Sequence, residues 1–82
     1  MSRKKIKVIE RKLGREVAWG QADNLHKVIE VDPRLSEKHR LTVIVHESLH
    51  LADWGLSESR VTAIAPKIAK VLWEQGYRRI KQ

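Results

Sequence analysis

Lys27-Val28-Ile29-Glu30-Val31-Asp32-Pro33-Arg34-Leu35-Ser36-Glu37 is the stretch in which the chain changes structural grammar. Its first half is rich in β-branched residues and stops at Asp32-Pro33, because proline has no N–H to give to a sheet ladder. Its second half prepares a helix. Leu35 is placed as a staple, Ser36 can cap the free N–H groups of a first turn, and Glu37 suits the positive end of a helix dipole. No breaker follows until Gly55, so the spacing predicts a helix of roughly 18 residues, Glu37 to Asp53 or Trp54.

Upstream, Ile6, Val8 and Glu10 begin a period-2 pattern that runs toward a turn at Leu13-Gly14-Arg15. Glu16 to Gln21 resumes it, and Asp23-Asn24 supplies a second turn before the strand at Lys27–Val31. Three short strands joined by tight turns predict an antiparallel meander. Ile6, Ile9 and Leu13 would also fit one helical face, which leaves the first strand the less determined of the three. Downstream, Leu56-Ser57 repeats the capping arrangement. Val61, Ile64, Ala65, Ile68 and Leu72 form an apolar stripe that ends at Gly76, with Pro66 inside it as an expected kink. The class that follows is α+β: a small antiparallel sheet of about three strands and then two helices, in one domain spanning 1–82 with basic tails at 1–5 and 78–82.

On the first helix, a spacing of about 100° per residue gathers Leu41, Ile44, Val45, Leu49 and Ala52 on one broad side, the expected core face. His39, Val43, His46, His50 and Asp53 gather on another. The three tryptophans, Trp19, Trp54 and Trp73, are expected to fill out a thin core, with Trp54 placed so that it could also wall a cleft.

His46-Glu47-Ser48-Leu49-His50 matches H-E-x-x-H. Histidines four residues apart stand one above the other, about 6 Å along the helix, so their ring nitrogens can converge on one ion roughly 2.0–2.1 Å from each. Glu47 lies round the helix from them, where it can reach a water without filling a ligand position. A third ligand must come from elsewhere, and two carboxylates compete for the place. Asp53 is short and lies a further turn away, which suits it better to accept a histidine N–H and fix the ligating tautomer. Glu58 follows a glycine bend and can swing back over the site, so it is the favoured ligand, although the dipole of a helix N-terminus also explains an acidic residue there.

Residues 20 to 75 resemble a stripped-down zincin metallopeptidase, similar to the small cytoplasmic ImmA/IrrE-like and SprT-like groups found in phages and their hosts. The resemblance rests on Ile29-Glu30-Val31-Asp32, Leu35-Ser36-Glu37, Thr42-Val43-Ile44-Val45-His46-Glu47-Ser48-Leu49-His50 and an acidic residue opening the next helix. It implies that His46, His50 and Glu58 hold zinc in a gluzincin-type site, that Glu47 is the catalytic base, and that the substrate is a protein or peptide. It also implies that the strand near Lys27 to Val31 runs beside the cleft, with an edge to which an extended peptide could add. A donor for the developing oxyanion would have to come from Tyr77, His26, His39 or Arg60, the available residue types.

Composition narrows the remaining classes. The chain has no cysteine, which excludes a disulfide scaffold and thiolate ligands together. No apolar run approaches the roughly 18 residues of a membrane span, and no signal-peptide pattern follows the basic start, so no membrane partner and a cytoplasmic location are expected. At 82 residues the core is thin and any active site shallow. Seventeen basic residues against ten acidic ones leave a net charge of +7, partly in Arg3, Lys4, Lys5, Lys7, Arg78, Arg79 and Lys81. A competing class is therefore a small basic nucleic-acid-associated or partner-binding protein whose histidines hold a structural or vestigial metal.

Overall fold

The computed structural model describes residues 5–14 and 19–80. Three strands, β1 (Lys7–Glu10), β2 (Gly20–Asp23) and β3 (Val28–Val31), precede two helices, α1 (Glu37–Ala52) and α2 (Glu58–Glu74), an α+β arrangement. The strand order is β1-β3-β2. β2 and β3 form the antiparallel hairpin that the Asp23-Asn24 signal implied, and Asp23 closes its turn by accepting the N–H groups of Leu25 and His26 at 3.0 and 3.1 Å.

The meander is corrected at β1, which pairs with β3 in parallel, Lys7 opposite Val28 and Glu10 opposite Val31. A parallel neighbour cannot be joined by a tight turn, so the stretch from Arg11 to Lys27, with β2 inside it, serves as the crossover. Leu13 is buried in that crossover, and its N–H reaches Asp32 Oδ2 at 3.3 Å. The pattern at Leu13-Gly14 therefore marks an anchor rather than a hairpin. The expected opening of the second strand, Glu16 to Ala18, and Arg15 of the expected turn lie outside the described residues, as do Arg3, Lys4 and Lys81.

Ser36 and Ser57 cap the helices as their positions predict, accepting from the His39 and Arg60 N–H groups at 3.2 Å each. α2 stops at Gly76, whose φ of 88° suits a residue without a Cβ, and the Tyr77 N–H closes on the Leu72 carbonyl at 3.0 Å. The helix runs unbroken through Pro66, which lies on its exposed side, while the small row Val61, Ala65 and Ala69 is buried. Of the other elements, α2 packs only against α1, so α1 lies between the sheet and α2.

That intermediate position changes which face of α1 is innermost. The buried row is Val43, Glu47 and Leu51, spaced by four, not the broad side expected from Leu41, Ile44, Val45, Leu49 and Ala52. A helix covered on two sides is apolar over so much of its circumference that periodicity alone cannot choose the central row. Val43 and Leu51 join Ile29 and Val31 in the core, with Ala22, Leu35 and Ile44 packed against it. The tryptophans do not fill that core as expected: Trp19 and Trp54 are 50% and 55% exposed.

Two residues hold α1 and the sheet in place. Gly20 lies where a Cβ would overlap Val43 Cγ1, press on the Glu30 carbonyl at 3.2 Å and touch Glu47 Cγ at 3.5 Å. Asp32, 1% exposed, binds the Arg34 Nε and Nη2 at 2.8 and 2.6 Å and accepts the Arg34 N–H at 3.0 Å. These donors hold its carboxyl far below the usual carboxylate range, with the Arg34 side chain the largest cause.

Gly20→Ala is expected to lower stability by about 1–3 kcal/mol through overpacking, read as a lower urea midpoint. Because the folded pKa of Asp32 is depressed, its contribution is fully present above about pH 4 and is lost as the pH falls from there toward the folded value. Asp32→Asn is accordingly expected to melt at lower temperature than the parent at pH 7, with a smaller further loss between pH 5 and 2. Circular dichroism melts across that range check both halves.

Candidate metal centre

The phase of α1 follows from Glu47. With that residue turned inward, His46 and His50 flank it on the same turn and the next, at the margin of the buried row. Their imidazole centroids are 5.2 Å apart and both rings are largely covered. The bend at Asp53-Trp54-Gly55 then brings the first residue of α2 back over them.

Glu58 spans the two rings. Its Oε1 lies 2.7 Å from His50 Nε2 and 3.2 Å from His46 Nε2, and its Oε2 lies 3.1 Å from His46 Nε2. The three ligand-type atoms all fall within 4.8 Å of one another. Tetrahedral zinc with bonds of roughly 2.0–2.1 Å needs ligand atoms about 3.4 Å apart, so the residues present fit such an ion with small side-chain adjustments. The 71% exposed Glu58 side chain has the freedom to make them. Hydrogen bonding from His50, ahead of His46, holds its carboxyl below the ordinary glutamate value.

Glu47 is the opposite case. It is only 8% exposed, its carboxylate makes no hydrogen bond among the described residues, and burial pushes its carboxyl upward against the pull of His46 and His50. Its side chain lines the cavity between the helices and β2, and partial desolvation there favours the protonated form.

Trp19, Gly20, His39, Thr42, Val43, His46, Glu47, Glu58, Thr62 and Pro66 enclose a cavity of about 350 Å³. Three elements contribute: the α1 row above, the α2 row Glu58, Thr62 and Pro66 at spacings of four, and the start of β2. β2 is the last strand of the sheet, so its outer edge pairs with no described strand. The edge beside the cleft is therefore β2. The strand at Lys27–Val31 is central, with β1 on one side and β2 on the other, and cannot offer the free edge that the resemblance implied.

The remaining sequence expectations separate cleanly. The Asp53 carboxylate turns to the bend, where Oδ1 accepts the Gly55 N–H at 3.0 Å, and it is not a hydrogen-bond acceptor for either histidine. His26 is held in the hairpin turn by Asp23 at 2.8 Å, and Tyr77 lines a different hollow beside Arg40 and Trp73. Arg60 is exposed in the first turn of α2. Of the four oxyanion candidates only His39 lines the cavity. Trp54 stands edge-on to His50, ring centres 6.4 Å apart, at the end of the site.

Thr62 was not foreseen, although Glu58 and Thr62 at i and i+4 carry the signal. Its Oγ1 donates to Glu58 Oε2 at 3.4 Å and steadies the carboxylate. Gly20 was not legible as a site residue, since only the approach of α1 gives it meaning. In comparisons with protein-family models, curated proteins and solved structures, none matches this chain.

Proposed function

We propose that this protein is a zinc-dependent metallopeptidase of the zincin type, with His46, His50 and Glu58 holding the ion and Glu47 acting as general base. The observation that carries the reading is the meeting of three ligand-type groups, His46, His50 and Glu58, beside a cavity that the mostly covered Glu47 side chain also lines. His₂Glu leaves a fourth tetrahedral position open, the pattern of catalytic rather than structural zinc. When bound, zinc supplies Lewis-acid chemistry, polarising a carbonyl and lowering the pKa of water toward about 7.

The chain's own groups supply the rest. An extended peptide adds to the free edge of β2 by main-chain hydrogen bonds, which places its carbonyls over the α1 row. Glu47 takes the proton of the attacking water at a carboxylate oxygen while the new C–O bond forms. It returns that proton to the amine nitrogen as the C–N bond breaks, so one residue serves as base and then as acid. Its burial suits both roles, because desolvation raises its affinity for the proton. Thr62 and Gly20 support the site indirectly, one by holding Glu58 and the other by letting α1 approach β2.

The competing nucleic-acid reading draws less support from the termini than their composition offers. Arg79 is paired with Glu10 at 2.9 Å, and Arg78 lies over the Trp73 ring at 3.3 Å while donating to two main-chain carbonyls. Both guanidinium groups are therefore already engaged within the fold.

Two measurements test the reading. Glu47→Gln is expected to retain one zinc per chain and to lose hydrolysis of a casein-type protein substrate by about 10²–10⁴-fold. His50→Ala and Glu58→Gln are expected to lose the metal as well, and equal zinc content in all of them would refute the ligand set. Because the ligands join α1 to α2, zinc at a hundred times its Kd should add about 2.7 kcal/mol of stability, on the order of 10 °C in melting temperature. A melting curve unmoved by chelator would contradict an ion bridging the helices.

A further inference from the structure

The cavity is lined by more than the three site residues His46, Glu47 and Glu58. Away from His46, Glu47 and Glu58, its walls are Trp19, Gly20, His39, Thr42, Val43, Thr62 and Pro66, with no lysine, arginine or aspartate among them. In a chain carrying a net charge of +7, that is a selectively uncharged surface. At about 350 Å³ the space is at the lower end of small-ligand pockets, large enough for one bulky side chain together with the backbone that carries it.

Trp19 is the least expected of these walls. Half of it is exposed in a small fold whose apolar core is thin, yet it is held firmly. Its carbonyl accepts the Asp32 N–H at 2.9 Å, and the Arg34 guanidinium lies 5.9 Å from its ring centre. Arg34 is itself fixed by the buried Asp32 carboxylate. On the cavity side, the Trp19 ring meets His39 edge-on with centres 6.1 Å apart. An exposed indole gains nothing from being fixed toward water, whereas an indole fixed in the wall of a pocket presents a preformed apolar surface to whatever enters.

We propose that Trp19 and His39 form the specificity wall of the cleft, selecting a bulky apolar side chain next to the bond to be cut. This rests on the peptidase reading for the bond-cutting step, though not for the binding. The side chain packs between Trp19 and His39 on one side and Val43 and Pro66 on the other, while the adjoining carbonyl lies toward Glu47. A charged side chain is disfavoured because the polar groups of these walls, Thr42, Thr62 and His39, include no lysine, arginine or carboxylate to pair with it, the carboxylates of the cavity lying at its other end. Gly20 lets Val43 close directly on β2, which sets the floor of the pocket.

The test has a cleavage arm and a binding arm. Zinc-loaded protein is given a peptide library randomised at one position, and Phe, Leu or Met beside the cut is expected to exceed Asp and Lys by at least about 10-fold in kcat/KM. Trp19→Ala should reduce that ratio to within about 3-fold without changing zinc content, and Trp19→Phe should restore most of it. A structural role alone would lower all substrates together and leave the ratio unmoved, which would overturn the proposal. In the binding arm, N-acetyl-phenylalanine amide and N-acetyl-lysine amide are titrated into Glu47→Gln protein while the Trp19 indole N–H resonance is followed. A shift with the phenylalanine amide and not the lysine amide supports the pocket even if no peptide is cleaved, an outcome that would defeat the peptidase reading alone. Cleavage without side-chain preference, or equal shifts with both amides, would remove the specificity wall and leave the peptidase reading in place.

Discussion

The burial of Glu47 between α1 and β2 is the constraint on which the rest depends. A helix advances about 100° per residue, so once residue 47 is turned to the sheet, the directions of residues 46 and 50 are no longer free. Both imidazoles come to the boundary between the core and the opening, and the first turn of α2 needs only the five residues from Asp53 to Ser57 to reach them. Gly20 makes the inward turn sterically feasible, and Val43 and Leu51 make it favourable by burying their side chains on the same row. The cost is one carboxylate drawn partly out of water at the cavity wall, offset by apolar contacts one turn above and below it. Its place in the cavity wall, next to His46, is what makes it the base of the proposed site.

Much of this was legible in the sequence, and what was legible has a common character. Serine caps, the Asp23 turn, the proline stop after β3 and the glycine end of α2 are all local signals, decided within a few residues, and each produced the element it implied. The convergence of His46 and His50 is local in the same sense, because helical rise alone sets it. Glu58 required one more step, the short bend, and its position over the rings follows from the tightness of that bend.

Most of the failures are non-local. Nothing within Lys7–Glu10 says whether its neighbour in the sheet runs parallel or antiparallel, and the tight-turn reading at Gly14 gave way to a crossover anchored on Asp32. The innermost row of α1 could not be told from its other apolar rows, because the choice depends on where α2 sits. Trp19 and Trp54 read as core from their size alone, whereas their exposure depends on partners separated from them in sequence. Asp53 had the right chemistry for a histidine partner, but its short side chain was satisfied first by the nearest N–H, that of Gly55.

The arrangement of β1 has a consequence for how the molecule is assembled. The hairpin β2-β3 and the helical pair are each built from neighbours in the sequence, and between them they bring every wall of the cavity except Trp19, which directly precedes β2. β1 joins last in the entropic sense, since its ladder closes across about twenty residues, and it contributes no group to the cleft. It is fastened to the finished body through β3 and by Glu10, which meets Arg40 of α1 and Arg79 of the tail. β1 thus acts as a brace across a body whose hairpin and helical pair are each built from neighbours in the sequence.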